Sequence, residues 1–220
     1  LIFEPLMKKG ADGRLEPVLA KHFTVSEDGT TYKIQLRKNV RFSDGTALTA
    51  EDAVFSIAAM CAAGQPETGA YANIQGADIY REGADGVPEG IRALDDLNLE
   101  AVFAVPSPAN LEILETRIQK RADPRQDSFL PALMQLSMGG TGTGAYMQTR
   151  RDGGTGIRLE ENPNYRSKIR DIKAVEFVSY GTYEIADAIR EQAVDVAVFT
   201  GDSSLFQKFL DGPQYTLYEK

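Results

Sequence analysis

Phe42-Ser43-Asp44-Gly45-Thr46-Ala47-Leu48-Thr49-Ala50-Glu51-Asp52-Ala53-Val54-Phe55-Ser56 sets a tight turn directly against the start of a helix. Ser43-Asp44-Gly45 has turn chemistry, because Asp bonds its own backbone two residues on and Gly tolerates positive φ. Thr49 as N-cap with an acid at N3 makes a capping-box-like start, in which hydroxyl and carboxylate serve the orphan amides of the first turn. Beyond it Val54, Ile57, Ala58 and Cys61 recur at i, i+3, i+4 and i+7, the stripe of a helix lying on a core. Gly64 and Pro66 end that helix.

Upstream, Tyr32, Ile34 and Leu36 alternate with Lys33, Gln35 and Arg37, the period of a half-buried strand. Glu27-Asp28-Gly29 turns the chain before it, so a hairpin runs from about Phe23 to Leu36. Downstream, residues 65–90, with an apolar-aromatic island around Tyr71 to Tyr80, read as irregular surface structure with one turn of helix. Leu99, Ala101, Phe103 and Val105 alternate until Pro106-Ser107-Pro108 stops the strand. A helix with Leu111, Leu114 and Ile118 on one face is expected next, then an exposed loop over residues 119–127.

Leu130 to Met138 is apolar and leads into Gly139-Gly140-Thr141-Gly142-Thr143-Gly144, where the composition shifts. After it come a strand at Tyr146 to Arg150, a turn at 151–156, a strand at 157–160 and a turn at Asn162-Pro163-Asn164. A strand near 175–180, a helix carrying Ile185, Ala188 and Ile189, and an apolar run at 194–199 with the look of a buried strand complete the pattern. The alternation of strands and helices is that of a mixed α/β fold.

The chain has 220 residues with 42% apolar and 25% charged content, which belongs to a globular protein able to bury an ordinary core. Its net charge of −8 argues against a nucleic-acid partner and against anionic membrane surfaces, since both need a basic stripe. No window approaches the roughly 18 apolar residues of a membrane span. Leu1 is neither an initiator Met nor part of a signal peptide, so the chain reads as processed or truncated.

Cys61 is the only cysteine and falls on the apolar side of the first helix, so no intrachain disulfide forms and the thiol reads as a small buried hydrophobe. His22 is the only histidine and lies in the solvent-side phase of a strand, so neither a catalytic triad nor a multi-histidine metal site can form within the chain. Gly140 to Ala145 formally satisfies G-x-G-x-x-A, but a strand and not a helix follows it, so no helix N-terminus receives a pyrophosphate. The pairs Asp95-Asp96, Glu51-Asp52 and Glu160-Glu161 are adjacent in sequence, which on a helix gives a solvated edge and on a strand opposite faces. Nothing implies a catalytic residue, a metal or a cofactor.

Phe3-Glu4-Pro5-Leu6, Pro17-Val18-Leu19-Ala20, Asp28-Gly29, Leu36-Arg37, the Phe42 to Ser56 stretch, Gly142-Thr143-Gly144-Ala145-Tyr146 and Asn162-Pro163-Asn164-Tyr165 occur in an order that resembles the extracellular solute-binding proteins of oligopeptide, dipeptide and nickel ABC transporters. The resemblance runs over essentially the whole chain. It departs where that family usually has Trp, at Phe23 and at Arg166.

What the resemblance implies is a two-lobed periplasmic-binding-protein-like fold, about twice this length, closed around a cleft. This chain would be its first lobe: residues 1–5 and 142–220 part of the core lobe with a mixed sheet, residues 6–141 a smaller inserted-type α+β subdomain, and the second, closing lobe absent. The implied function is capture of a peptide or similar small solute and delivery to ABC permease subunits. A ligand-sensing domain of a regulator or chemoreceptor is the alternative, and an enzyme is disfavoured. The implied location is extracytoplasmic, in the periplasm or as a cell-surface lipoprotein, with membrane association only through an N-terminal anchor outside the chain. The ligand-binding residues it implies are Tyr71, presented from the smaller subdomain, and Glu4 and Pro5, just after the segment that runs beside the ligand. Tyr146 and Tyr165 are expected as core or hinge anchors.

Overall fold

Alternating burial along Thr31–Leu36 (β5) forms the centre of a four-stranded antiparallel sheet. Ala20–Val25 (β4) pairs with one edge of β5 through the hairpin, and Asn98–Val102 (β7) with the other, with Ile34 opposite Phe23 on one side and Leu99 on the other. Ile91–Ala93 (β6) closes the order β4-β5-β7-β6. The computed structural model describes residues 1–64, 69–82, 86–121, 140–151, 156–168, 171–181 and 184–198. The chain divides into two compact units, Leu1–Asp152 with Ile157–Glu176, and Gly153–Gly156 with Phe177–Lys220.

In the first unit the helix Ala50–Gly64 (α1) lies against β6 and β7. The sequence pattern predicts one buried stripe, yet every residue from Asp52 to Ala59 is buried. A second neighbour accounts for this: Arg117–Ile118 (β8) also borders α1, and Ser56 on that helix bonds Gln119 just beyond β8. Leu19, Ile34, Leu36, Phe42, Ile57, Leu99, Ile113, Leu114 and Ile118 are fully buried in one cluster, each worth about 1.5–3 kcal/mol relative to exposure. Tyr32 stacks on Phe23 at 6.4 Å and meets Phe103 edge-on at 5.0 Å, geometries that the ring quadrupole favours.

Around this core run short strands: Glu4–Pro5 (β1), which pairs with β8, and Met7–Lys9 (β2), which pairs with Leu15–Pro17 (β3). Tyr146–Arg151 (β9), Gly156–Glu161 (β10) and Ala174–Val178 (β11) form a three-stranded sheet in the order β11-β10-β9. Arg158 on β10 is bracketed by Glu160 and Glu176.

Three local expectations are corrected. Pro108–Glu115 is a 3-10 helix, capped by the Ser107 hydroxyl, and Ile118 lies beyond it in β8 and not on its face. A 3-10 segment advances about 2 Å per residue against 1.5 Å for an α-helix, and Ile118 is taken up in pairing with Glu4. Gln119, expected in an exposed loop, is buried because its amide donates to Ser56 Oγ at 3.1 Å; residues 122–127, like the apolar run 130–138, lie outside the described residues. The helical turn expected within 65–90 forms as a 3-10 segment at Ala77–Glu82, but the stretch is not all surface, since Ala70 and Ile74 are buried in the core.

In the second unit Glu184–Arg190 (α2) forms as the periodicity predicts, with Ala188 buried. The apolar run at 194–198 is not a buried strand: Val196 and Val198 are 80% and 84% exposed. Asp195 breaks the run, and among the described residues no strand pairs with it. Phe199 lies outside the described residues.

Candidate functional site

The sequence motifs converge where the first residues of the chain cross the Gly-rich segment. Gly144 N–H donates to Ile2 O at 2.7 Å and Tyr146 N–H to Leu1 O at 3.2 Å. A Cβ at Gly144 would stand 2.1 Å from Leu1 O, and one at Gly142 2.1 Å from Ile2 O. Glycine is therefore required by close backbone approach, and no phosphate-binding role is needed to account for it. Asn162 Nδ2 donates to Gly144 O at 2.8 Å, and its own N–H to Ala145 O at 2.9 Å. Tyr146 is buried, with its hydroxyl donating to Ile172 O at 2.8 Å. The turn that opens the deciding stretch docks here too, with Ser43 N–H on Gly142 O at 2.9 Å and Asn164 Nδ2 on Ser43 O at 3.1 Å.

Glu4 is held in this junction. Arg166 Nη1 and Nη2 reach its two carboxylate oxygens at 2.5 and 2.8 Å, and Thr143 Oγ1 donates to Oε2 at 3.0 Å. The two side chains are 13% and 27% exposed. The guanidinium also lies 5.3 Å from the centroid of the Tyr165 ring, a cation–π contact. The hydrogen bonds to Glu4 hold the Arg166 guanidinium above its usual pKa, against the opposing effect of burial. Pro5 pairs with Arg117 and Glu4 with Ile118.

Tyr71 stands half-buried at the edge of the core cluster, its hydroxyl 2.9 Å from Thr116 Oγ1. Burial pushes the Tyr71 hydroxyl up, and the Thr116 contact only partly offsets this. Thr116 is the residue immediately before β8. The three residues predicted to touch ligand thus meet one short segment: Tyr71 through Thr116, Pro5 through Arg117 and Glu4 through Ile118.

Sequence reasoning missed one residue here, Arg166, and read another, Asp52, only in part. Arg166 carried a signal, since a cation stood where the resemblance expects Trp, but its partner was not deducible without the fold. Asp52, the acid at N3 of the helix start and also part of the expected solvated edge, caps as expected but is 6% exposed. Its Oδ2 accepts from Thr49 N–H and Oγ1, both at 2.8 Å, and its Oδ1 from Arg121 N–H at 2.9 Å. The cap thus also ties β8's continuation to α1. Cys61 is buried as expected, and burial pushes its thiol up to about 12, leaving essentially no thiolate at neutral pH. His22 is exposed on β4. Among the described residues no group of three or more His, Cys, Asp or Glu side chains is placed to hold a metal ion, and no helix is long and apolar enough to cross a membrane.

This backbone has a mixed α/β fold similar to part of the fold of two-lobed periplasmic binding proteins. It superposes on the oligopeptide ABC transporter substrate-binding domain from Bacillus anthracis with a TM-score of 0.73 at 20% identity, covering 96% of this chain and 42% of that one. NikZ from Campylobacter jejuni, in complex with Ni(L-His), gives 0.71 at 21% identity, covering 97% and 40%. The family of bacterial extracellular solute-binding proteins, family 5, matches residues 14–217, and the chain belongs to it. Relatives include the dipeptide-binding protein DppE of Bacillus subtilis, 25% identical over 171 residues, and the periplasmic oligopeptide-binding protein OppA of Escherichia coli, 31% identical over 121 residues. These matches cover 76% and 51% of this chain but 31% and 22% of the relatives, so the chain spans about a third or less of their length.

Proposed function

We propose that this chain is part of the solute-binding component of an ABC importer, capturing a peptide or similar small solute and presenting it to membrane permease subunits. The observation that carries the reading is the meeting of Tyr71, Glu4 and Pro5 on Thr116–Ile118. A half-buried tyrosine beside an extended strand offers what a peptide site needs: rigid contact area with few rotors to freeze, next to backbone that an extended ligand can follow. Tyr71 and Pro5 would contact solute directly. Glu4 would border it, with its carboxylate oriented by Arg166 and Thr143.

The domain arrangement follows the same reading. Leu1–Pro5 and residues from Gly142 onward belong to a core lobe, and 6–141 to a smaller subdomain; the Gly144 and Tyr146 bonds to Ile2 and Leu1 support joining the first two. A second lobe closes over the solute by a hinge motion. The protein acts outside the cytoplasm, in the periplasm or anchored at the cell surface, and performs no catalysis.

Calorimetry tests this. Trialanine, trilysine and nickel(II)–histidine are titrated into the 220-residue chain and into a longer protein that contains it. The longer protein is expected to bind at least one probe and the chain alone to bind each at least 100-fold more weakly. Tight binding by the chain alone overturns the two-lobe reading; no binding by the longer protein to any of the three overturns the solute class.

A further inference from the structure

We propose that Arg166 is a positioning residue for solute capture, acting through Glu4 to hold the Leu1–Pro5 segment in place against Gly142–Tyr146. The inference rests on the reading above that this strand borders the solute. It goes beyond that reading by assigning the strand's placement to one side-chain pair.

Among the described residues, regular pairing of this segment is confined to β1 with β8, and beyond it Leu19 N–H reaches Pro5 O at 3.3 Å. β1 is two residues long and one of them is Pro5, which has no N–H to donate. On the Gly142–Tyr146 side, among the described residues, two backbone bonds run from Gly144 N–H and Tyr146 N–H to the Ile2 and Leu1 carbonyls. Between them the glycines leave no side chain at 142 or 144 to grip the strand. A slip of one residue would exchange Glu4 for Phe3 or Pro5 opposite Thr143, and neither offers a carboxylate.

Glu4 supplies the missing register mark. Both of its oxygens are engaged, in a two-point fork with Arg166 and a third bond from Thr143 of the crossover itself. Fork geometry is directional in a way that a lysine ammonium cannot reproduce. Exposed ion pairs contribute little because water screens them and both side chains must be ordered. Here the carboxylate is 13% exposed, and the guanidinium is already ordered by the Tyr165 ring. The pair therefore marks one register of the strand and penalises the others.

The test is local hydrogen exchange in the protein carrying Arg166→Gln, read without any solute. The Gly144 and Tyr146 amides are expected to exchange roughly 10-fold faster, as they report opening of the strand they bond, while amides of β5 stay within about 2-fold of the parent. Arg166→Lys, which keeps the charge and loses the fork, is expected to fall between. Double reversal, Glu4→Arg with Arg166→Glu, is expected to return the two amides toward parental rates, whereas either reversal alone is not. If Arg166→Gln does not fold, the Lys variant and the double reversal decide the matter. Unchanged exchange at Gly144 and Tyr146, or an equal rise at β5, overturns the proposal. Titration of the calorimetric probe that binds the parent separates the two claims. Faster local exchange with weakened binding supports both, whereas faster local exchange with unchanged affinity leaves only the structural hold of Arg166 on Leu1–Pro5 and overturns both its role in solute capture and the placement of solute beside this segment.

Discussion

The β4-β5-β7-β6 sheet with α1 and the junction of Leu1–Pro5 with Gly142–Tyr146 belong to the same compact unit but are specified by different physics. The sheet and helix are held by a continuous apolar cluster in which Ile34, Leu36, Ile57 and Leu99 are each fully buried. Such burial is non-directional and scales with area, so many apolar residues of similar volume would serve. The junction has no such cluster. It is held by backbone contact at two glycines, by the side chains of Asn162 and Asn164, and by the Glu4–Arg166–Thr143 network. Composition defines the first region and individual residue identities define the second.

Substitutions can break this contrast. The largest effect is expected for Leu99→Ala, which empties a fully buried site facing Ile34. It should cost about 3 kcal/mol of unfolding free energy by denaturant titration. Gly144→Ala removes no apolar area, yet it should cost about 2 kcal/mol, because the new methyl meets the Leu1 carbonyl and the strand must shift. The distinguishing readout is exchange at Tyr146, which should quicken sharply in Gly144→Ala and follow global stability in Leu99→Ala. If the two variants behave alike at Tyr146, the junction is not a separate structural device.

Tyr71→Phe should be smaller, at about 1 kcal/mol, because the buried Thr116 hydroxyl loses its partner. Thermal unfolding measures that part, and solute titration measures whether the hydroxyl matters to binding. Asp44→Asn should be smallest and should depend on pH. Burial alone would raise the Asp44 carboxyl, but hydrogen bonds from Lys120 and Thr46 bring it down from 3.8 to about 2. A carboxyl with a depressed folded-state pKa stabilises the protein above its unfolded pKa, and the contribution fades as pH falls through the folded value. The gap between parent and variant should therefore be constant above about pH 5, shrink below pH 4 and close near pH 2. At 37% side-chain exposure for both partners, its size at pH 6 should be only about 0.5 kcal/mol.

The same contrast governs what could be read without a structure. Tyr32, Ile34, Leu36 and Leu99 were legible because period-2 alternation on a half-buried sheet is a local property. The hairpin at Asp28-Gly29 and the cap at Thr49 were legible for the same reason. The 3-10 segment at Pro108–Glu115 was not, since its outcome depends on Ile118 pairing with Glu4, a contact more than a hundred residues away in sequence. Val196 and Val198 misled because burial of a strand depends on a partner, and among the described residues none pairs with them. At the junction the motifs could be spelled out but not interpreted: Gly142 and Gly144 state that something approaches closely, and only the fold shows that it is Ile2 and Leu1. Arg166 was visible as a departure, while its bond to Glu4 spans the chain.

The central claim is that solute lies where Tyr71, Glu4 and Pro5 meet Thr116–Ile118. The most direct measurement is the hydrogen-exchange footprint of a bound peptide on a longer protein that contains this chain. The account predicts protection concentrated in residues 1–6, 69–74 and 116–118. Protection confined to the β4 edge or to residues 184–198, with these three segments unchanged, would contradict it.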